Sequence, residues 1–179
     1  MPFHLETPRL LIRPWEPADR PVFAGFVRNV EMMRYISFGK AWDDDRIEAF
    51  FQRQGKYLAD HGCCVGAVVL QESGRVIGIA GIQPLDKAKT FEFAWWIWKD
   101  YWGQGLATEA AEALKDYAFG VLGLPRVVAI ADVPNRASSR VMQKIGMQYA
   151  GVRNAHDLAE RHPEVEVVYY TLDNPATKT

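Results

Sequence analysis

FEFAWWIWKDYWGQGLATEAAEA, residues 91–113, is the stretch whose reading decides the fold. Phe91 to Trp98 has the aromatic composition of a β-strand. Gly103 and Gly105 then mark a tight turn, and Gln104 to Val121 carries Leu106, Ala110, Leu114 and Ala118 at four-residue spacing, the apolar stripe of a helix. Strand, glycine turn and helix in this order leave the unpaired N–H groups of the first helical turn facing whatever occupies the loop, and no Cβ bars its approach. Backbone donors at the positive end of a helix dipole favour a phosphate or pyrophosphate.

Spacing excludes two common glycine loops. A nucleoside-triphosphate loop requires Gly-Lys-Ser/Thr after its spacer, and no lysine stands there; a dinucleotide fingerprint requires a third glycine where Thr108 stands. The residual Gly103-x-Gly105-x-Ala107 pattern resembles the acyl-CoA loop of the GNAT acetyltransferases, and YWGQGLATEA is similar to the form found in the RimJ/RimL-like branch. The opening LETPRLLIRPWEPAD resembles that branch's first strand and turn, and NRASSRVMQKIGM its second recurrent motif. Three motifs in the family's order, spread over nearly the whole chain, make the resemblance far more specific than the glycine loop alone.

The chain has 179 residues, 49% of them apolar, which suits one domain with a substantial core. We expect a single domain over residues 1–173 and a short free tail over 174–179. With 21 basic against 22 acidic residues there is no global field for nucleic acid or a membrane surface. Cys63 and Cys64 are adjacent and poorly placed to join distant segments, which suits a reducing compartment. No span approaches the roughly 20 apolar residues needed to cross a bilayer, and the expected location is the cytoplasm.

Outward from the opening stretch, Leu10 to Arg13 reads as a strand, and Glu16 to Asp19 as the turn that starts a helix running to about Asn29. Asp43, Asp44 and Asp45 open a helix to about Asp60, where acids suit the dipole. Cys64 to Gln71 and Arg75 to Gln83 form a hairpin around Glu72-Ser73-Gly74. Arg126 to Ala131 is a strand, Asn135 to Ile145 a helix, and Met147 to Val152 and Val165 to Leu172 are closing strands. Hairpins followed by interleaved helices give an α+β, or mixed α/β, layout. The resemblance implies the GNAT acyl-CoA N-acyltransferase fold, a splayed central mixed sheet with helices on both faces.

It also implies the chemistry: acetyl-CoA as co-substrate, no metal, and a primary amine as acceptor that attacks the thioester directly, with no enzyme nucleophile. His4, His61, His156 and His162 lack metal-ligand spacing. The N–H groups of Gly103, Gln104, Gly105, Leu106, Ala107 and Thr108 would hold the pyrophosphate, with the Thr108 hydroxyl as an added donor. Trp102 fills a position where the family often has Arg or Gln, so binding would lean on the backbone. Trp95, Trp96 and Ile97 lie on a strand whose free main-chain groups would pair with the pantetheine amides, Ile97 foremost, while their rings serve the core. Asn135 reads both as a helix N-cap and as a contact to the coenzyme arm. Ser138, one turn later, is either a surface serine or the proton donor to the leaving thiolate. Many family members carry a tyrosine on this helix for that task; here Met142 stands in its place and cannot donate.

The attacking amine must be neutral. A lysine amine near pKa 10.4 costs about 4 kcal/mol to deprotonate at pH 7.4, an α-amine near 7.7–8.0 under about 1 kcal/mol. Glu92, His156 and Asp157 are the candidate bases, His156 for its ordinary pKa near 6.5, each with a bland reading as a structural or solvated group. Trp15, Tyr35, Phe38 and Trp42 lie in the region from which the family builds its acceptor groove; Arg34 and Asp43 to Asp45 could add charge selectivity. The leading acceptor is a protein or peptide N-terminal amine, with a small amine or a non-catalytic acyl-CoA-binding module as alternatives. A homodimer stays open.

Overall fold

The computed structural model describes residues 3–34, 36 and 39–177. Eight strands form one sheet: β1 (Leu5–Glu6), β2 (Leu10–Arg13), β3 (Val65–Leu70), β4 (Arg75–Leu85), β5 (Thr90–Ile97), β6 (Arg126–Asp132), β7 (Gln148–Asn154) and β8 (Glu166–Asp173), in the order β1-β2-β3-β4-β5-β6-β8-β7. All neighbours are antiparallel except β5 and β6. Helices α1 (Arg20–Val27), α2 (Val30–Met33), α3 (Asp44–His61), α4 (Leu106–Gly120) and α5 (Arg136–Lys144) complete the α+β layout.

The β5/β6 boundary organises everything else. Their parallel register holds only at Phe91↔Val127 and Glu92↔Val128. Beyond it β5 stays paired with β4 as far as Gly78↔Ile97, and β6 with β8 as far as Asp132↔Val167. Each strand thus remains ordered on its outer flank while the inner flanks part. The Trp98 N–H donates to Ile77 O at 2.8 Å, so by the alternation of an antiparallel ladder the main-chain groups of Trp96 and Ala94 face β4. Those of Trp95 and Ile97 turn towards the gap.

Side chains alternate with the same period. Phe93, Trp95 and Ile97 enter the core beneath α4 and α5, whose stripe residues Leu106, Ala110, Leu114 and Ala118 are all buried. Ala94, Trp96 and Trp98 pack on the opposite face against the Phe23, Phe26, Met33 and Phe50 layer of α1 to α3. Helices therefore cover both faces because a strand in the middle of the sheet is apolar on both.

Element ends follow local chemistry. Asp43 caps α3 by accepting the Arg46 N–H at 2.8 Å, and Gly62 ends it in the left-handed region at φ 70°. The first expected helix breaks short of Asn29, because that side chain accepts the Met32 N–H and starts α2 instead. The expected free tail is a correction at its first residue. Asn174 is 4% exposed, donates to Pro125 O and Leu124 O at 2.9 and 3.1 Å, and ties residues 174–177 to the loop between α4 and β6. Among the described residues no helix is long and apolar enough to cross a membrane. Tyr35 and Phe38 lie outside the described residues.

Candidate active site

The gap between β5 and β6 opens at the carboxyl ends of two parallel strands, where an open α/β sheet places its ligand crevices. The β5 connection supplies the glycine loop. Gly103 and Gly105 adopt φ 75° and 77°, a conformation that L side chains resist, and Gly105 caps α4. Glu109 is the residue whose N–H reaches back to Gly105 O at 3.0 Å, which leaves the N–H groups of Leu106, Ala107 and Thr108 without an acceptor inside the helix. The Leu106 side chain itself is core. The Trp102 indole lies half in solvent, and its N–H donates to Ile97 O at 2.6 Å, so the carbonyl of Ile97 is already engaged.

Arg9 and Glu109 brace this loop. Glu109 Oε1 accepts from the Thr7 hydroxyl and the Arg9 N–H at 2.6 and 3.0 Å, Arg9 Nε donates to Glu109 Oε2 at 2.6 Å, and Arg9 Nη1 donates to Gln104 O at 2.9 Å. The opening Thr-Pro-Arg and the Ala-Thr-Glu-Ala of the helix are two halves of one clamp. The sequence carried both halves but not their contact.

The gap leads into a cavity of ≈ 270 Å³. Trp95, Asn135, Ser138 and Met142 line its gap end. Asn135 Oδ1 accepts the Ser138 N–H at 3.1 Å, the N-cap reading, which leaves the Ser138 hydroxyl on the cavity side of α5. Asp132, at the end of β6, lines the same region, and burial pushes its carboxyl up.

The other end is lined by α3 and the β7–β8 connection. Glu92 sits there only 3% exposed. Its Oε1 accepts from Gln83 Nε2 and from Arg161 Nη2, both at 2.7 Å. Gln83 Oε1 accepts from Gln54 Nε2 at 3.0 Å, and Gln54 Oε1 accepts the Val65 N–H at 2.7 Å, so the carboxylate ends a buried polar chain. Burial pushes the Glu92 carboxyl up, against the opposing pull of Arg161, Gln83 and Arg53. His162 Nε2 lies 3.9 Å from Glu92 Oε1. Burial first, then the Arg161 and Arg53 charges, push that imidazole down to about 3, so it is neutral at working pH and a feeble base.

His156 and Asp157 occupy a 3₁₀ turn in the same connection but do not line the cavity; His156 Nδ1 is 2.9 Å from His162 O, and Asp157 is exposed. Sequence reading thus identified the connection and not the residue that faces inward. Trp42 lines the cavity and meets Trp96 edge-on at 6.0 Å, whereas the Trp15 indole is spent on Val65 O at 2.8 Å. Asp43 caps α3 and its neighbour Asp44 pairs with Arg28, as a helix start would have them. Cys63 and Cys64 are buried, with thiols pushed up to about 12 by burial, and offer no nucleophile. Arg46, Arg53 and Arg161 escaped sequence reading; the signal for the first two was their i, i+7 spacing with Phe50 between them, one face of α3.

Residues 9–148 match the acetyltransferase (GNAT) domain family, well over half the chain, and the protein belongs to that family. It is therefore an acyltransferase of a family that uses acetyl-CoA. An uncharacterised N-acetyltransferase, YnaD of Bacillus subtilis, is 31% identical over 83% of this chain and 84% of its own length. The spermidine N(1)-acetyltransferase of Escherichia coli is 28% identical over 78% of this chain and 73% of its own. Among solved structures, RimL, a ribosomal L7/L12 α-N-protein acetyltransferase in complex with coenzyme A, superposes with a TM-score of 0.75 over 97% of this chain and 99% of its own, at 16% identity, a likeness of fold.

The residues present fit acetyl-CoA. A free strand edge suits the amides of an extended arm, left-handed glycines admit a diphosphate to the backbone, and unpaired helix N–H groups meet its charge.

Proposed function

We propose that the protein transfers acetyl from acetyl-CoA to a primary amine by direct attack in a ternary complex, the leading acceptor being a peptide or protein N-terminal amine. One observation carries this reading. The β5/β6 gap, flanked by the glycine loop, continues into a cavity that holds both Ser138 and the buried carboxylate Glu92.

Acetyl-CoA supplies the activated acyl carbon. The N–H groups of Gly103 to Thr108 hold its diphosphate, and the strand edge at Trp95 and Ile97, with Trp96, Asn135 and Ser138 nearby, aligns the arm. Fixing the thioester against an amine in this cavity supplies proximity and orientation. Glu92 accepts the proton released as nitrogen bonds the acyl carbon; its raised pKa brings it nearer to that of the amine than an ordinary carboxylate. The Ser138 hydroxyl donates to the departing thiolate in place of the absent tyrosine. His156 and Asp157, outside the cavity lining, serve the turn that carries His162 and Arg161. With the proton on Glu92 given up to water and one taken back from water by Ser138, the balanced products are the acetylated amine and the free coenzyme A thiol.

The small-amine reading keeps the support of the E. coli spermidine acetyltransferase relative. Thiol release from acetyl-CoA with peptides, amino acids and polyamines tests both. Release with N-terminal peptides carries the proposal; tight coenzyme A binding with no release for any amine supports a binding module instead.

A further inference from the structure

The acceptor end of the cavity carries a guanidinium, that of Arg53, which no carboxylate meets among the described residues. Arg46 and Arg53, two turns apart on α3, and Arg161 from the β7–β8 connection all line it. Arg161 is matched by Glu92 at 2.7 Å and by Asp86 at 3.7 Å. That match engages Glu92, the one acid that lines this end of the cavity, because Asp132 lies at the gap end. Arg46 lies 4.5 Å over the Trp42 ring. Arg53 is the exposed debt of the group: its Nε is buried without a hydrogen-bond partner, and among the described residues no carboxylate is within ion-pairing distance of it. Its guanidinium carbon lies 5.8 Å from the centre of the Phe50 ring. A guanidinium presses five donors in a fixed fork on its surroundings, and a nitrogen of it that is shut off from water is costly unless an acceptor meets it.

Resting on the acetyl-transfer reading above, we propose that the acceptor amine carries a carboxylate, seated by Arg53 at the α3 wall with Arg46 adding to its attraction. The anion meets the unpartnered Nε of Arg53, fixes which way the acceptor lies, and so turns its amine towards Glu92. A polyamine does the reverse, bringing further ammonium groups against the unmatched Arg53 guanidinium, a like-charge penalty that selects against it. Two sources present this chemistry: the α-carboxylate of a free amino acid, and an acidic side chain beside a peptide's N-terminus.

Calorimetric titration of the coenzyme A-saturated protein separates them. The probes are glycine against glycinamide, a C-terminally amidated tripeptide with glutamate second against its glutamine counterpart, and spermidine. Preference in the glycine pair assigns an amino acid, and preference in the peptide pair an acidic N-terminus. In the preferred pair the acid binds at least ~10-fold more tightly than its neutral partner, as a charge-assisted hydrogen bond requires, and spermidine binds more weakly than either acid. Arg53→Gln brings the acid-to-neutral ratio to within about threefold, while Arg53→Lys keeps part of it. Coenzyme A affinity of each variant reports that it is folded. Equal binding within both pairs, tighter binding of spermidine, or loss of acid and neutral affinity in equal measure in Arg53→Gln overturns the proposal and leaves acetyl transfer standing. Failure of the wild-type protein to bind coenzyme A instead removes the acetyl-transfer reading, and the same titrations on the coenzyme-free protein still decide the charge preference.

Discussion

The two ends of the cavity are built from different materials. At the gap end the groups we assign to the coenzyme are main-chain: left-handed glycines, the unpaired first turn of α4, and the inner edge of β5. At the acceptor end they are side chains from α3, β5 and the β7–β8 connection, held by one another as much as by the fold. A backbone site cannot change its chemistry without changing the chain's path, whereas a side-chain site can be rewritten one residue at a time. The first suits a substrate that the whole family shares; the second suits an acceptor that differs between members.

The sharpest break between the two ends is Glu92→Gln. If Glu92 takes the proton, the exchange lowers kcat by about 100-fold or more, the usual size of general-base catalysis, and leaves coenzyme A affinity within about twofold. Steady-state kinetics alongside calorimetry checks it. A loss confined to coenzyme A binding would make Glu92 a purely structural partner of Arg161.

Gly105→Val tests the opposite end. A β-branched residue at φ 77° is strained by about 1–2 kcal/mol, and its side chain would stand where the diphosphate approaches the backbone. Coenzyme A affinity falls by about 30-fold, and acceptor binding measured with the coenzyme-free protein is unchanged. An unaltered coenzyme A affinity would move the diphosphate away from this loop.

The next test asks how tightly the acceptor end is tied to stability. His162 is held down to about 3 from an ordinary 6.5, so below pH 6.5 the unfolded chain binds a proton that the folded chain refuses. Its contribution is fully present above pH 6.5 and is lost as pH falls towards 3. Glu92 works the other way: its raised pKa favours the fold below the usual carboxylate range, and that contribution is lost as pH rises. His162→Gln should therefore flatten the acid limb of stability by on the order of 2 kcal/mol between pH 6.5 and 3, measured by urea denaturation across that range. An unchanged limb would show that His162 is protonated in the folded protein.

The same contrast explains what was legible in the sequence. Gly103, Gly105 and the stripe from Leu106 to Ala118 announce themselves locally, because turn geometry and helix period are properties of neighbouring residues. The splay itself was reached through the resemblance, since where two strands part depends on partners thirty-odd residues away. Gln54, Gln83, Glu92 and Arg161 meet through tertiary contact alone, and nothing near any of them in the chain marks the meeting. His156 drew notice for its chemistry, yet a 3₁₀ turn sends His162 inward instead. Asn174 read as the start of a tail because its two carbonyl partners, on Leu124 and Pro125, come from the loop before β6, about fifty residues earlier.

The smallest expected effect lies in the clamp that joins the chain's opening to the glycine loop. Burial pushes the Glu109 carboxyl up, but bonds from Thr7 and Arg9 outweigh it, and its pKa is lowered. Glu109→Gln keeps the shape and the hydrogen-bonding oxygen while discarding the charge that holds Arg9, and Arg9 in turn holds Gln104 O at 2.9 Å. The loop gains freedom without losing a donor to the ligand. Since Arg9 is about half exposed and its pairing is screened by water, the expected cost is a rise of about threefold in KM for acetyl-CoA with kcat unchanged. A fall in kcat with KM constant would mean that the clamp governs where the thioester points and not merely how well the loop is preformed, which would tie the two ends of the cavity together more closely than their separate materials imply.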